Sequence, residues 1–259
     1  MSGQCIAIVS GKGGTGKTSL TAGLGEALAL MGYRVLCIDC DVGLRNLDLA
    51  LGLTDRALMD FSDVAAGRCP LSDAAVPHPE IPKLHLLTAP ASLRRRSVTE
   101  GEMRSLLQSA REDYDYCLLD APAGLGEYFR LATAFADRCV VVTTTDPPAL
   151  RDAQHTVMEL DRFPRGRLHL VVNRVRGKLL RSMHATIDDA IDTAGLPLLG
   201  VVPEDDALPL APGGRAAAGL PHRGLRRLPQ HRKAHHRPAG PAAPVTISTF
   251  YHSPKGAFP

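Results

Sequence analysis

No tryptophan occurs among the 259 residues, and five Tyr with six Phe make up only 4% of the chain. Within a hydrophobic content of 44%, a core has to come mainly from Val, Leu, Ile and Ala. Such a core suits a parallel sheet covered by helices. A chain of this length fits one large α/β domain or two small ones. Nowhere does the sequence run for about 18 uncharged apolar residues, so no transmembrane helix is expected. No basic stretch followed by an apolar segment precedes the first strand, so no signal peptide is expected either. Cys37 and Cys40 are the one closely spaced pair among six Cys. A tetrahedral zinc site would lack its other half, and residues three apart on a strand face opposite ways. Reduced, buried thiols in a cytoplasmic protein are the expectation.

Acidic residues are missing after Asp206, while residues 211–259 carry eight Lys or Arg. The same 49 positions hold eight Pro, six Gly and five of the ten His. Regular alternation of apolar and polar residues stops near Pro209. The boundary is therefore placed at Leu210: a domain over 1–210, then a basic Pro/Gly/His-rich tail over 211–259. That composition is what disorder gives, and also what an out-of-frame translation of GC-rich coding sequence gives. Translating the other two frames downstream of codons 208–215 distinguishes the two.

Over 1–210, short β-rich apolar runs alternate with helix-length segments. Strands are expected at Cys5–Val9, Val35–Asp39, Leu84–Thr88, Tyr116–Asp120, Cys139–Thr144, Leu168–Asn173 and Leu198–Val202. Helices are expected at Lys17–Met31, Thr99–Glu112, Leu125–Ala136, Pro148–Leu160 and Arg181–Ala194. The strands are continuous apolar runs, as in sheets buried on both faces. The fold class is α/β: a single doubly wound, mostly parallel sheet flanked by helices.

One motif carries chemistry by itself. Gly11-Lys12-Gly13-Gly14-Thr15-Gly16-Lys17-Thr18 follows an apolar strand and opens a helix, which is the Walker A phosphate-loop pattern. Glycines let the backbone bend around phosphates with several N–H groups turned inward, and the helix adds the positive end of its dipole. Lys17 is expected to reach the β- and γ-phosphates of ATP, and the Thr18 hydroxyl to bind Mg²⁺. Asp39 and Asp41 follow the second strand, where metal and water chemistry would sit. Asp120 closes the apolar run Tyr116–Leu119, the Walker B pattern, whose carboxylate acts on Mg²⁺.

With Lys12 at its second position, the loop resembles that of the deviant Walker A ATPases, the MinD/ParA family of P-loop NTPases. Asp39-Cys40-Asp41-Val42-Gly43-Leu44-Arg45-Asn46-Leu47-Asp48-Leu49 is similar to the first switch of the MinD branch, which regulates division-septum placement. Partition proteins of the ParA type carry an Asp-Pro-Gln-Gly-Asn type segment there. Asp120-Ala121-Pro122-Ala123-Gly124 resembles the second switch, and Arg151-Asp152 a helix start near the dimer surface. The likeness covers about residues 4–208.

That resemblance implies an ATP hydrolase that forms a homodimer on binding ATP. Lys12 would cross the interface to the partner's phosphates, Asp39 would help hold the Mg²⁺ shell, and Asp41 would orient the attacking water. Asn173 would contact adenine, since its amide pairs with both a donor and an acceptor, with Pro203 and Asp205 as a second base-contacting loop. It further implies a MinC-like inhibitor, a MinE-like or equivalent activator, and peripheral attachment to an anionic membrane surface from the cytoplasm. No sequence-specific nucleic acid is expected. The tail shows neither a closing helix nor a basic amphipathic end, so membrane docking is left without its expected anchor. Arg94-Arg95-Arg96 is expected to be a solvated loop. Alternatives are a ParA-type DNA-partition ATPase that uses the basic tail, and a catalytically impaired nucleotide-binding scaffold.

Overall fold

The computed structural model describes residues 2–91, 97–175 and 187–204. The tail, the boundary at Leu210, Arg94–Arg96 and Asp205 lie outside the described residues. Among those described, the strands are β1 (Gln4–Val9), β2 (Val35–Asp39), β3 (Val76–Pro77), β4 (Leu84–Leu87), β5 (Tyr116–Asp120), β6 (Arg138–Thr143), β7 (Leu168–Val175) and β8 (Leu198–Pro203). They form one eight-stranded sheet in the order β3-β4-β2-β5-β1-β6-β7-β8. Every pairing is parallel except β3 with β4. Helices are α1 (Lys17–Leu30), α2 (Leu47–Ala50), α3 (Phe61–Ala65), α4 (Leu71–Ala74), α5 (Glu100–Asp113), α6 (Glu127–Ala134), α7 (Pro147–Glu159) and α8 (Ile187–Ala194). The fold is a single doubly wound, mostly parallel sheet flanked by helices.

The seven expected strands are all present, shifted by at most two residues at an end. The span 47–77 held elements that the expectation left blank. There, α2 to α4 are each five residues or fewer, too short for a helical period to register. α3 did carry a local signal. Asp60 accepts from the Ser62 and Asp63 amides while Asp63 accepts from the Asp60 amide, a capping box. Of the last expected helix only Ile187–Ala194 falls within the described residues.

Period-2 alternation sorts side chains to the two faces. From β1, Cys5, Ala7 and Val9 join one cluster with Met103, Leu106, Phe129 and Leu150 from α5, α6 and α7, while Ile8 joins the other with Ala22 and Ala29 of α1. Cys37 and Cys40 fall in opposite clusters. All six Cys are free, five of them buried.

The end of the sheet away from the glycine loop is fastened by one cation. Arg111 at the end of α5 donates from Nη1 to Asp137 Oδ2 at 2.7 Å and from Nη2 to the Phe135 carbonyl at 2.9 Å. Asp137 Oδ2 also accepts from the Cys5 amide at 2.8 Å, so α5, β1 and the approach to β6 share one knot. Charged hydrogen bonds of this kind are worth ~2 kcal/mol. Arg111→Ala is expected to lower the urea midpoint by a corresponding amount at unchanged m-value; an unmoved midpoint would show the knot to be incidental.

Candidate nucleotide site

β1 is the point where the winding reverses: the chain passes from it to β2 on one side, and from β5 across it to β6 on the other. Open α/β sheets bind ligands in the crevice beyond the strand ends at such a point. The loop Gly11–Thr18 starts there, directly after β1. Asp39 and Asp120 end β2 and β5 and are register partners on adjacent strands.

The backbone of the loop needs its glycines at two places. Gly14 and Gly16 lie at φ 79° and 90°, the left-handed region. Gly11 approaches α7 so closely that an added Cβ would stand 2.5 Å from the Asp152 carbonyl. Gly16 caps α1, which has no side-chain cap and no acidic residue in its first turn. The helix therefore presents bare N–H groups and the positive end of its dipole to an anion.

Two lysines of the loop part ways. Lys17 is buried and donates from Nζ to Ser10 Oγ at 2.9 Å. Burial lowers its pKa, against the pull of Asp120 and Asp41. Lys12 is exposed; its carbonyl accepts from Ser10 Oγ at 2.7 Å, leaving the ammonium on the surface. Thr15 is buried, and its Oγ1 has no partner among the described residues. An orphaned hydroxyl in a glycine cradle beside a buried cation fits a phosphate.

A cation site lies alongside. Thr18 Oγ1 donates to Asp120 Oδ2 at 2.6 Å, and Thr21 Oγ1 approaches Asp120 Oδ1 at 3.2 Å. Asp39 accepts from the Asp41 amide at 2.8 Å and the Leu47 amide at 3.1 Å, so it also pins the first switch segment. Burial pushes the Asp39 carboxyl up to about 7 and that of Asp120 up to about 6. Two buried, side-by-side carboxylates with a threonine hydroxyl form a hard oxygen donor set that fits Mg²⁺. Asp41 is half-buried, its pKa raised by burial and lowered by Lys17.

These shifts have a pH consequence for the metal-free protein. Between the unfolded value of 3.8 and the folded value of about 7 for Asp39, the folded chain keeps a proton that the unfolded chain has lost. Folding takes up protons in that window, so stability contributed by Asp39 falls as pH rises through it and is level above it. Asp39→Asn is expected to flatten the fall in melting temperature between pH 5 and pH 7. An unchanged slope would mean that Asp39 titrates normally.

On the other flank, Asn173 is buried on β7 with its Nδ2 donating to the Thr15 carbonyl at 2.8 Å. Pro203, exposed at the end of β8, pairs with Val175 on the neighbouring strand. Two of the three expected base-contacting residues, Asn173 and Pro203, thus lie on adjacent strands at one side of the loop. Gly124, in the second switch segment, has φ 86°, and Gly13 faces the Ala123 methyl across the crevice.

Residues 6–215 match the CobQ/CobB/MinD/ParA nucleotide binding domain. This chain is a P-loop ATPase of the MinD/ParA family. Among its relatives, the septum site-determining protein MinD of a Synechocystis strain is 38% identical over 206 residues, 79% of this chain and 77% of that protein. Among solved structures, the MinC:MinD cell division complex of Aquifex aeolicus has a TM-score of 0.73 at 34% identity, covering 79% of this chain and 83% of that one. A MinD complexed with Mg-ADP from Pyrococcus horikoshii has a TM-score of 0.67 at 33% identity, covering 78% and 82%.

In this MinD/ParA-family site, motif reading found the loop and the strand-end carboxylates but missed their supports. Ser10 ties both loop lysines together, and Thr21 joins α1 to Asp120. Thr21 had a readable signal: it stands four residues after Lys17, on the same helix face. Arg45 stands in the first switch segment. At φ 45° it donates from Nε to Thr88 Oγ1 at 3.0 Å and lies 3.6 Å from Asp48. No motif announces that contact, because Thr88 lies 43 residues away. No helix among the described residues is long and apolar enough to cross a membrane.

Proposed function

We propose that this chain is a nucleotide-timed switch in division-septum placement, one that pairs with a second copy while it holds ATP. Its ATPase domain spans 1–210 and the tail 211–259 follows. The observation that carries the proposal is the split between the loop lysines: Lys17 is buried within its own site, and Lys12 is exposed beside it. One can neutralise the phosphates of its own subunit, and the other is free to reach those of a partner.

Loop amides, Lys17 and the end of α1 bind the β- and γ-phosphates. Thr18, Asp39 and Asp120 would hold Mg²⁺, which when bound would supply charge neutralisation on the transferring phosphoryl group. Asp41, half-buried near Lys17 and close behind Asp39, orients the attacking water. Lys12 of the second copy adds charge to the transition state in trans, as an arginine finger does. Asn173 and Pro203 flank the adenine. Loss of the γ-phosphate frees the segments 39–49 and 120–124 and the pair separates.

One relative's complex supports a MinC-like partner. The Aquifex MinD is seen with MinC, and a MinC-like inhibitor and a MinE-like activator are the partners proposed here. Contact with an anionic membrane would be electrostatic, through the eight basic residues of 211–259 at up to ~1 kcal/mol each near such a surface.

Sedimentation velocity tests the core of the proposal. With Mg-ATP, and turnover slowed by cold, the chain is expected to run as a dimer; with Mg-ADP it is expected to run as a monomer. The same sedimentation coefficient with both nucleotides would leave an ATPase without the switch.

A further inference from the structure

β7 contains an irregularity that strand pairing does not require. Its register with β8 slips between Val172 and Val175, and within the slip Arg174 lies at φ 55°. That left-handed conformation is disfavoured for any residue with a Cβ. The side chain of Arg174 is exposed, so the strain is not bought back by burying it.

What the irregularity does is aim Asn173. The residue is 8% exposed, beneath the glycine loop. Its Nδ2 donates to the Thr15 carbonyl at 2.8 Å, and its Oδ1 accepts from the Arg174 amide at 2.9 Å, so the bent backbone itself fixes which way the carboxamide faces. Gly16 completes the fit, since any Cβ there would run into Asn173 Nδ2. A trans peptide is planar, with its carbonyl and the following N–H pointing in opposite directions. Holding the Thr15 carbonyl toward β7 therefore turns the Gly16 N–H away from β7. The amide and carbonyl of one loop peptide are set by a side chain 158 positions along the chain.

We propose that Asn173 is a positioning residue for the phosphate loop: the kink in β7 drives its carboxamide under the Thr15–Gly16 peptide and sets the loop for phosphate before any nucleotide arrives. This goes beyond the adenine contact proposed above, and it rests on Gly11–Thr18 being the phosphate site. A base contact and a loop prop make different demands on the ligand. The first acts only on ligands with adenine, the second on any phosphate the loop accepts.

Calorimetric titration of the full chain with Mg-ADP, and with pyrophosphate plus Mg²⁺ as a probe without a base, separates them. Asn173→Ala is expected to weaken both ligands by a similar factor, on the order of fivefold to tenfold, the worth of one buried hydrogen bond. Arg174→Gly, which keeps the left-handed conformation without strain, is expected to bind both as the parent does. Arg174→Val, whose branched Cβ opposes that conformation, is expected to weaken both although residue 174 faces solvent. If Asn173→Ala binds pyrophosphate as the parent does, the proposal is overturned, whatever happens to ADP. Should Asn173→Ala fail to fold, the Gly and Val variants at 174 carry the same comparison, and equal pyrophosphate affinity in the two overturns it. A parent chain that binds neither probe would instead remove the phosphate site itself.

Discussion

Replacing Lys17 with Ala is expected to lower ATP turnover by about a thousandfold while the far-ultraviolet spectrum stays that of the parent. Lys17 sits inside the first turn of α1, buried, with its ammonium on Ser10 and within reach of the fields of Asp120 and Asp41. A charge so placed needs no reorganisation as negative charge builds on the γ-phosphate. Removing a preorganised group of this kind costs roughly 10²–10³ in rate. Nucleotide affinity should fall as well, because Lys17 also meets the ground-state phosphates. Lys17→Arg is not expected to restore turnover: the longer fork cannot occupy the space of a compact ammonium hydrogen-bonded to Ser10. A Lys17→Ala chain that turned over ATP at a tenth of the parent rate or better would remove Lys17 from the chemistry.

Lys12→Ala should separate binding from turnover. The Lys12 side chain is exposed, and among the described residues its tie to the rest of the loop is through its carbonyl. Truncation therefore leaves the glycine backbone, Ser10 and Lys17 in place. Mg-ADP affinity is expected to stay within about twofold of the parent, since a surface charge of this kind contributes little to a single subunit. Turnover is expected to collapse to the rate of an isolated subunit, because the transition-state charge that Lys12 brings to the other copy is gone. Arginine fingers acting in trans are worth 10³–10⁵, and a lysine point charge is expected near or below the lower end, roughly 10²–10³. Mixing Lys12→Ala with Lys17→Ala chains sharpens the expectation. In a mixed pair the Lys12→Ala subunit keeps a whole phosphate site and receives Lys12 from its partner, so one site of the two recovers. Full turnover by Lys12→Ala alone would sink the trans role.

How far such a site can be read from sequence depends on the range of the interactions that build it. The loop was legible because its chemistry is local: Gly14 and Gly16 need left-handed backbone, and Lys17 and Thr18 follow in one helical turn. Strands β2 and β5 were legible to the residue because both end in a buried Asp, which breaks the apolar run where the sheet meets the crevice. The short helices between 47 and 74 were not: α2 is held by packing against α1, α3 by its capping box and by α5, and α4 by α3 and α5, rather than by their own period. Ser10, Thr21 and Thr88 escaped notice for a related reason. A hydroxyl says nothing about its partner, and Thr21 and Thr88 meet partners 99 and 43 residues away. The slip in β7 was invisible as well: Val-Val-Asn-Arg-Val reads as an ordinary strand, and only the pairing with β8 shows that the register slips across Asn173 and Arg174.

The account stands most directly on one curve, the ATP turned over per chain as a function of chain concentration in excess Mg-ATP. If a second copy completes the phosphate site, specific activity rises with concentration and levels off once pairing is complete, while the curve for Lys12→Ala stays flat near zero. Specific activity that is high and independent of concentration, down to dilutions at which sedimentation shows single chains, would contradict it.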